Sequence, residues 1–414
     1  MAAERIGSII SHLAPGSSLA KIQSKNADDI VITYAARTPL TKSKKGGFKD
    51  TSLEHLVYSL LKEVNARSGL DPALVEDITM GNVNDPMAAY KVRTAALAAG
   101  YPNSAGANSV NRFCSSGLKA IADVAHSISN GSIEIGIALG AESMSTNYPA
   151  APMDESVPAR NQEAADCMMP MGWTSENVSK DFGVNRDQMD KYAAESFQRA
   201  EKAQNSGFFD DEIVPITTKV KDAKGEWQEV TITKDDGIRP NTTAEGLGKI
   251  RPAFPQWGQC TTGGNASQVT DGAAAVVLMK RSTANKLGLP IMAKYVGSTV
   301  AGLAPRVMGI GPTVAVPKLL SIHNISLKDI DVVELNEAFA SMAVYCRENL
   351  SLDWAKMNPK GGAIALGHPL GATGARQVVT GLSELRRTKK KMLLTSMCIG
   401  TGQGMAGLFV NEQL

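Results

Sequence analysis

Four short segments carry residue types able to do covalent or proton-transfer chemistry, each at a junction of strand, loop and helix. The first is Ser109-Val110-Asn111-Arg112-Phe113-Cys114-Ser115-Ser116-Gly117-Leu118. Leu118, Ile121 and Val124 follow Cys114 at helical spacing, which sets the cysteine near the N-terminus of a buried helix. The unpaired N–H groups there favour thiolate over thiol, so Cys114 is a candidate nucleophile. The competing reading is an inert buried cysteine, the commoner fate of a free Cys. The second segment, Lys360 to Arg376, sets His368-Pro369 among Gly361, Gly362, Gly367, Gly371 and Gly374. Such a run demands positive φ angles or close approach of main chain to a ligand. It fits neither Walker nor Rossmann spacing. His368 is a candidate base or oxyanion donor, weighed against a satisfied turn histidine. In the third, Met392 to Ala406, a strand runs into Cys398 and opens at Gly400, Gly402 and Gly404, exposing N–H groups at a strand end where α/β sites lie. The alternative is a core cysteine before a loop. In the fourth, Val333 to Ala340, a strand ends at Asn336-Glu337. Asn336 either caps the following helix or holds a water or substrate oxygen.

Two stretches of like grammar, about 30–146 and 291–410, must position these residues. Each alternates short apolar strands with helices, which predicts an α/β sheet covered by helices. Asn82 follows a strand 32 residues before Cys114, and Asn336 follows a strand 32 residues before His368, as a duplication would place them. Between the two stretches, roughly 150–262 has a different texture, with Met168, Met169 and Met171, a polar helical run from Asp187 to Ser206, and Lys234 to Pro240. It reads as an insertion suited to a lid or ligand flap. The chain returns to the first sheet at Asp271 to Leu278, a buried strand.

A chain of 414 residues exceeds one hydrophobic core, so two or three packed subdomains are expected. Lys and Arg number 43 against 41 for Asp and Glu, too balanced a field to argue for nucleic acid or an anionic membrane. No apolar run approaches the length, about 18 residues, that spans a bilayer. Five unclustered cysteines suggest neither a disulfide framework nor a zinc site, and fit a reducing compartment. Met1 to Asp28 precedes the first strand and reads as an extension outside the core. Within it Arg5-Ile6, followed after five residues by His12-Leu13, resembles an N-terminal peroxisomal targeting signal that presents Arg5, Ile9 and His12 to an import receptor. A helix cap and a mitochondrial presequence are the rival readings, and Glu4 speaks against the latter. The C-terminus, Asn411-Glu412-Gln413-Leu414, is not the Ser-Lys-Leu type of address, so the front end must carry any peroxisomal location.

Taken together with Arg251-Pro252-Ala253-Phe254, Gly264-Asn265-Ala266-Ser267 and Asp271-Gly272-Ala273, the four segments resemble the thiolase family from about residue 29 to the C-terminus. The resemblance implies two duplicated βαβαβαββ halves in a five-layered α/β/α/β/α arrangement with an inserted loop domain. The expected boundaries are 1–28 for the targeting extension, 29–150 with 263–290 for the N-terminal domain, 151–262 for the insertion and 291–414 for the C-terminal domain. It implies cleavage of 3-ketoacyl-CoA by CoA, the last step of β-oxidation, in a peroxisomal homodimer with no metal or permanently bound cofactor. By that resemblance His368 takes the proton of Cys114, Cys398 serves as acid and then base, Cys114 and Gly400 supply oxyanion N–H groups, and Asn336 holds a water. CoA contacts are expected from Arg239 and Ser267, with Lys249 and Arg251 nearby. Thr401 and Gln403 interrupt the family's usual run of three glycines. A ketoacyl synthase would carry a second histidine where Cys398 stands. An acetoacetyl-CoA thiolase working toward condensation and a silent acyl-CoA carrier on the same scaffold are the remaining alternatives. Cys167, Cys260, Cys346, His55, His126 and His323 lack a partner motif and are assigned to packing.

Overall fold

The computed structural model describes residues 18–146, 148 and 153–414; Arg5, Ile6, Ile9, His12 and Leu13 lie outside them. The strands are β1 (Ile30–Arg37), β2 (Thr41–Lys42), β3 (Asp77–Gly81), β4 (Gly106–Val110), β5 (Ile135–Ser143), β6 (Ile216–Lys221), β7 (Trp227–Ile232), β8 (Thr270–Lys280), β9 (Ala293–Gly302), β10 (Val332–Leu335), β11 (Met392–Ile399) and β12 (Gln403–Asn411). Ten of them form one sheet of order β10-β11-β12-β9-β1-β8-β5-β3-β4, with β2 on β8. This sheet is two half-sheets of one design. In the first, β3 pairs parallel with β5, β5 antiparallel with β8, and β8 antiparallel with β1. In the second, β10 pairs parallel with β11, β11 antiparallel with β12, and β12 antiparallel with β9. Even the place of β4 has an echo, a parallel bridge from Val333 to Met357. Strand pairing between the half-sheets runs through Val31↔Lys294 and Ile32↔Ala293 of β1 and β9.

Strands β5 and β8 are apolar along nearly their whole length because helices cover both faces. Leu53–Arg67 and Ala88–Ala99 cover the outside of the first half-sheet, burying Leu56, Val57, Leu60, Val92 and Ala96 on one stripe each. Pro312–His323 and Ala340–Asn349 do the same for the second. Between the half-sheets lie Ser116–Ser129 and Thr373–Thr388, whose Leu118, Ile121, Val378 and Leu382 share a core with strand residues of both halves. The result is α/β/α/β/α. The two central helices cross backbone to backbone at glycines: a side-chain carbon at Gly374 would come within 2.5 Å of the Leu118 nitrogen.

The insertion carries helices Met171–Phe182 and Arg186–Asn205 and the β6–β7 hairpin. Asn185 and Gln188 form a capping box at the start of the long helix. Met189, Tyr192, Ala193, Phe197 and Ala200 line that helix's buried face, which joins the core of the second half. Buried Arg37 on β1 anchors the insertion to the first half, reaching Glu212 at 2.7 Å and both oxygens of Asp235 at 2.7 and 2.9 Å.

Residues 18–28 depart from the expectation that they stand outside the core. Leu19 and Ile22 of helix Ser18–Gln23 pack against the second half. Lys294 donates to the Ser24 carbonyl at 2.7 Å, and Arg281 to that of Asn26 at 3.1 Å. Among the described residues no helix is long and apolar enough to cross a membrane.

Candidate active site

The strand ends of the two halves carry the candidate residues: Asn336 Nδ2 lies 3.3 Å from His368 Nε2, the Asn336 N–H meets the Ser396 carbonyl two residues before Cys398, and Cys114 neighbours Gly400 and Cys398. Phe113 at φ 47° turns the chain out of β4 so that Cys114 stands two residues ahead of helix Ser116–Ser129. The Cys114 thiol is buried, with the backbone N–H groups of Gly400 and of Cys114 itself beside it. Burial pushes it up to about 11, while these two N–H groups act in the opposite sense. This departs from the expectation that the helix start favours thiolate: desolvation outweighs the pull of the two N–H groups.

His368 is also buried, and burial with the nearby Arg376 charge brings it down to about 3. The ring is therefore neutral at physiological pH. Its Nδ1 lies 2.6 Å from Thr373 Oγ1, whose own proton goes to the Pro369 carbonyl at 3.0 Å. The hydroxyl thus accepts from Nδ1–H, which leaves the Nε2 lone pair facing outward to accept a proton. Asn336 Nδ2 approaches that Nε2 at 3.3 Å, and Asn336 Oδ1 has no protein partner. Asn336 is not the helix cap: that position of Ala340–Asn349 falls to Phe339.

Cys398, the penultimate residue of β11, has no exposure, and its thiol lies 3.4 Å from the Met342 sulfur among Met308, Ala338 and Met342. Burial holds it far above the usual thiol range, and the neighbouring Cys114 adds to the rise. It is a proton reservoir at any physiological pH. The three atoms nearest to a side-chain carbon at Gly400 would all belong to Phe113, at 3.5 to 3.8 Å, an ordinary van der Waals contact. All five cysteines are free thiols, and no cluster of metal-ligating side chains occurs among the described residues.

Ser267 donates its N–H to the Ala338 carbonyl at 2.9 Å, and the next carbonyl, Gln268, receives the His368 N–H at 3.0 Å. Half-buried Arg239 donates to the Gly263 carbonyl at 3.0 Å and lies over the Phe197 ring at 5.4 Å. Lys249 is paired with Glu245 at 2.8 Å.

Residues 30–282 match the family described as "Thiolase, N-terminal domain" and residues 289–411 that described as "Thiolase, C-terminal domain". The chain belongs to the thiolase family. It is 50% identical to the peroxisomal 3-ketoacyl-CoA thiolase of Yarrowia lipolytica over 402 residues, 96% of this chain and 97% of that one. With the peroxisomal 3-ketoacyl-CoA thiolase A of Rattus norvegicus the identity is 46%, over 99% of this chain and 97% of that one. Among solved structures, the dimeric peroxisomal thiolase of Saccharomyces cerevisiae superposes with a TM-score of 0.88 at 45% identity, covering 95% of this chain and all of that one. Human mitochondrial 3-ketoacyl-CoA thiolase in complex with CoA does so with a TM-score of 0.82 at 34% identity, covering 93% of this chain and 98% of that one.

Several residues that shape this thiolase site were not singled out from sequence. Glu337 is buried and accepts from Tyr192 at 2.8 Å, Ser196 at 2.7 Å, Asn358 at 2.7 Å and the Ile364 N–H at 3.1 Å, which ties the insertion to the loops of Asn336 and His368. Gln268 donates to the Ile364 carbonyl at 3.1 Å and to that of Gly237 at 2.9 Å. Arg376 pairs at 2.8 Å with buried Glu334, which burial raises to about 7. The signal for Glu337 was its charge beside Asn336 at a buried strand end. Gln268 carries no local signal, because its partners are backbone carbonyls distant in sequence; the signal for Thr373 was its place five residues after His368 in the glycine-rich loop.

Proposed function

We propose that the chain catalyses CoA-dependent cleavage of 3-ketoacyl-CoA into acetyl-CoA and a shortened acyl-CoA, the closing step of β-oxidation, with Cys114 as nucleophile. The observation that carries this reading is a pair of buried thiols, Cys114 and Cys398, together with a buried imidazole, His368, whose Nδ1 lies 2.6 Å from Thr373 Oγ1 and whose Nε2 lies 3.3 Å from Asn336 Nδ2. Reverse Claisen cleavage asks for those groups. His368 Nε2 takes the Cys114 proton as sulfur bonds to the 3-keto carbon, and the bond between C2 and C3 then breaks. The departing acetyl-CoA enolate takes a proton from Cys398, with its oxygen held by His368 and by a water on Asn336. The Cys398 thiolate next takes the proton of incoming CoA, whose sulfur attacks the acyl-enzyme. Cys114 leaves as thiolate and recovers its proton from His368. The N–H groups of Cys114 and Gly400 hold the oxygen on the attacked carbon at both additions.

An apolar cleft of about 680 Å³ lined by Phe113, Met153, Val157, Cys167, Met168 and Thr401 opens beside the residues that flank Cys114 and Gly400. It favours an acyl tail longer than that of acetoacetyl-CoA, and so cleavage over two-carbon condensation. Arg239 and Ser267 are assigned to CoA, with the Arg239 guanidinium reoriented from Gly263. A homodimer is assigned, as in the yeast relative described as dimeric. The test is to supply a ladder of 3-ketoacyl-CoA lengths with CoA. Products two carbons shorter plus acetyl-CoA are expected, together with an acyl adduct on Cys114 that Cys114→Ser abolishes. Turnover and adduct in that variant would refute the assignment. The peroxisomal relatives and the Arg5-Ile6 to His12-Leu13 pattern support import through a receptor that reads residues 1–28. A reporter fused to those residues should become peroxisomal; diffuse or mitochondrial signal would overturn this.

A further inference from the structure

The two half-sheets can be matched residue for residue. Gly81 at the end of β3 pairs with Gly140 of β5, and Leu335 at the end of β10 pairs with Ser396 of β11. Gly140 and Ser396 in turn pair with Ala274 of β8 and Ala406 of β12. Counting onward, Asn82 is the counterpart of Asn336, and the spacing of 32 residues makes Cys114 the counterpart of His368. Two residues past Gly140 lies Glu142, and two past Ser396 lies Cys398. The pairings Glu142↔Gly272 and Cys398↔Gly404 keep the same register. The trio Asn336, His368 and Cys398 therefore has a double, Asn82, Cys114 and Glu142. The mechanism uses every member of both sets except Asn82 and Glu142.

Glu142 is fully buried, and each contact its carboxylate makes is with an N–H donor. Oε1 accepts from Asn82 Nδ2 at 3.1 Å and the Asn84 N–H at 3.2 Å. Oε2 accepts from the Val83 N–H at 3.0 Å and the Gly371 N–H at 2.9 Å. Three of the donors belong to the turn that follows β3 in the first half. The fourth, Gly371, lies three residues beyond His368 in the second half. Gly371 has no room to shift sideways: a side-chain carbon there would lie 2.6 Å from the Gly81 carbonyl oxygen and 2.9 Å from that of Ala141. Burial raises Glu142 to about 7, and the N–H groups of Gly371, Asn84 and Val83 act in the opposite sense.

We propose that Glu142 is a positioning residue for the thiolase reaction: its carboxylate clamps the His368 loop of one half to the Asn82–Asn84 turn of the other, and so sets His368 Nε2 against Cys114. Duplication has kept the acceptor site at the strand end and changed its use, a proton-carrying thiol in one half and a fixed clamp in the other. An amide in its place keeps the volume but turns N–H against N–H for two of the four donors. The effect falls on the Cys–His geometry rather than on CoA, whose assigned contacts lie elsewhere.

The experiment is to compare wild type, Glu142→Gln and Glu142→Asp in the full-length enzyme. Glu142→Gln should lower kcat at least about 30-fold and slow acylation of Cys114 in single-turnover measurement by a like factor, with the KM for CoA changed less than about twofold. Glu142→Asp, which keeps the charge, should recover part of the loss. A kcat within about twofold of wild type in soluble Glu142→Gln, or equal effects on kcat and KM, would overturn the proposal. Should neither variant fold, hydrogen exchange on the wild type decides: peptides covering 82–84 and 369–373 must both be protected at least about tenfold over the exposed turn at 222–226. Fast exchange in either one rejects the clamp.

Discussion

Replacing Thr373 by Val removes one buried oxygen and nearly nothing else. The Thr373 hydroxyl accepts from His368 Nδ1 at 2.6 Å and passes its own proton to Pro369 O at 3.0 Å. Without it the Nδ1–H is left in a site with no exposure at residue 373 and little at His368. A buried donor deprived of its partner costs about 1–3 kcal/mol. The ring can avoid that cost by carrying its proton on Nε2, where Asn336 Oδ1, otherwise unpartnered, accepts it once the amide turns over. In that tautomer Nε2 is no longer a base. The productive tautomer is then disfavoured by about 1–3 kcal/mol, which at 1.36 kcal/mol per tenfold predicts a kcat lower by roughly 5- to 150-fold. The assay is steady-state thiolysis of a medium-chain 3-ketoacyl-CoA, with the KM for CoA as internal control and Thr373→Ser as the variant that keeps the hydroxyl. Thr373→Ser should stay within about threefold of wild type. A kcat for Thr373→Val within about twofold of wild type, or an equal fall in Thr373→Ser, would refute the tautomer argument.

Cys398→Ala should still acylate at Cys114 when given an acyl-CoA but lose overall thiolysis, because its thiol serves only the carbanion and CoA. Wild-type thiolysis in single-turnover and steady-state assays would remove Cys398 from the mechanism. Burial raises Cys114 from an ordinary 9.0 to about 11, so at pH 8 roughly one molecule in a thousand holds thiolate, and alkylation by iodoacetamide should climb about tenfold per pH unit from 7 to 10. A plateau across that range would reveal a resting thiolate. Arg37→Ala strands Glu212 and Asp235 in the interior and should lower unfolding stability by about 3–5 kcal/mol in denaturant titration. A loss below about 1 kcal/mol would show that water reaches the pair.

Much of the site was legible because its residues announce themselves locally. Cys114 precedes a helix with Leu118, Ile121 and Val124 on one face, and those three do pack between the half-sheets. The 32-residue spacing of Asn82 to Cys114 and of Asn336 to His368 reflects one chain path used twice, from strand end through a crossover to the central layer. What stayed hidden depends on partners far away in sequence. Helix Thr373–Thr388 is buried from Thr373 to Leu385, because the half-sheets and the insertion residues Phe208, Asp211 and Glu212 close around it. Arg37 looks like an ordinary residue at a strand end until Glu212 and Asp235, about 175 and 198 residues on, close over it. Residues 18–28 read as an appendage because they belong to a stretch rich in Ser, Ala and Lys that precedes the first strand. Their anchors, Arg281 and Lys294, lie in the second half of the sequence.

The helix-dipole reading of Cys114 failed for a reason that bears on how the site works. Burial raises both thiols and lowers the imidazole, so Cys114, Cys398 and His368 are all uncharged at rest. A resting thiolate–imidazolium pair would be reactive toward any electrophile that reached it. Here charge arises only during attack, when a carbonyl oxygen enters the N–H groups of Cys114 and Gly400 and turns their stabilisation from sulfur to oxygen. Proton transfer to His368 Nε2 is then driven by substrate in place, and the pull falls with any displacement of the imidazole. That dependence is why the fold devotes Thr373 to the far side of the ring, Gln268 to the His368 N–H and four N–H donors on Glu142 to the loop beyond it. The two halves that duplication supplied are registered to each other at the point where one contributes the nucleophile and the other the base.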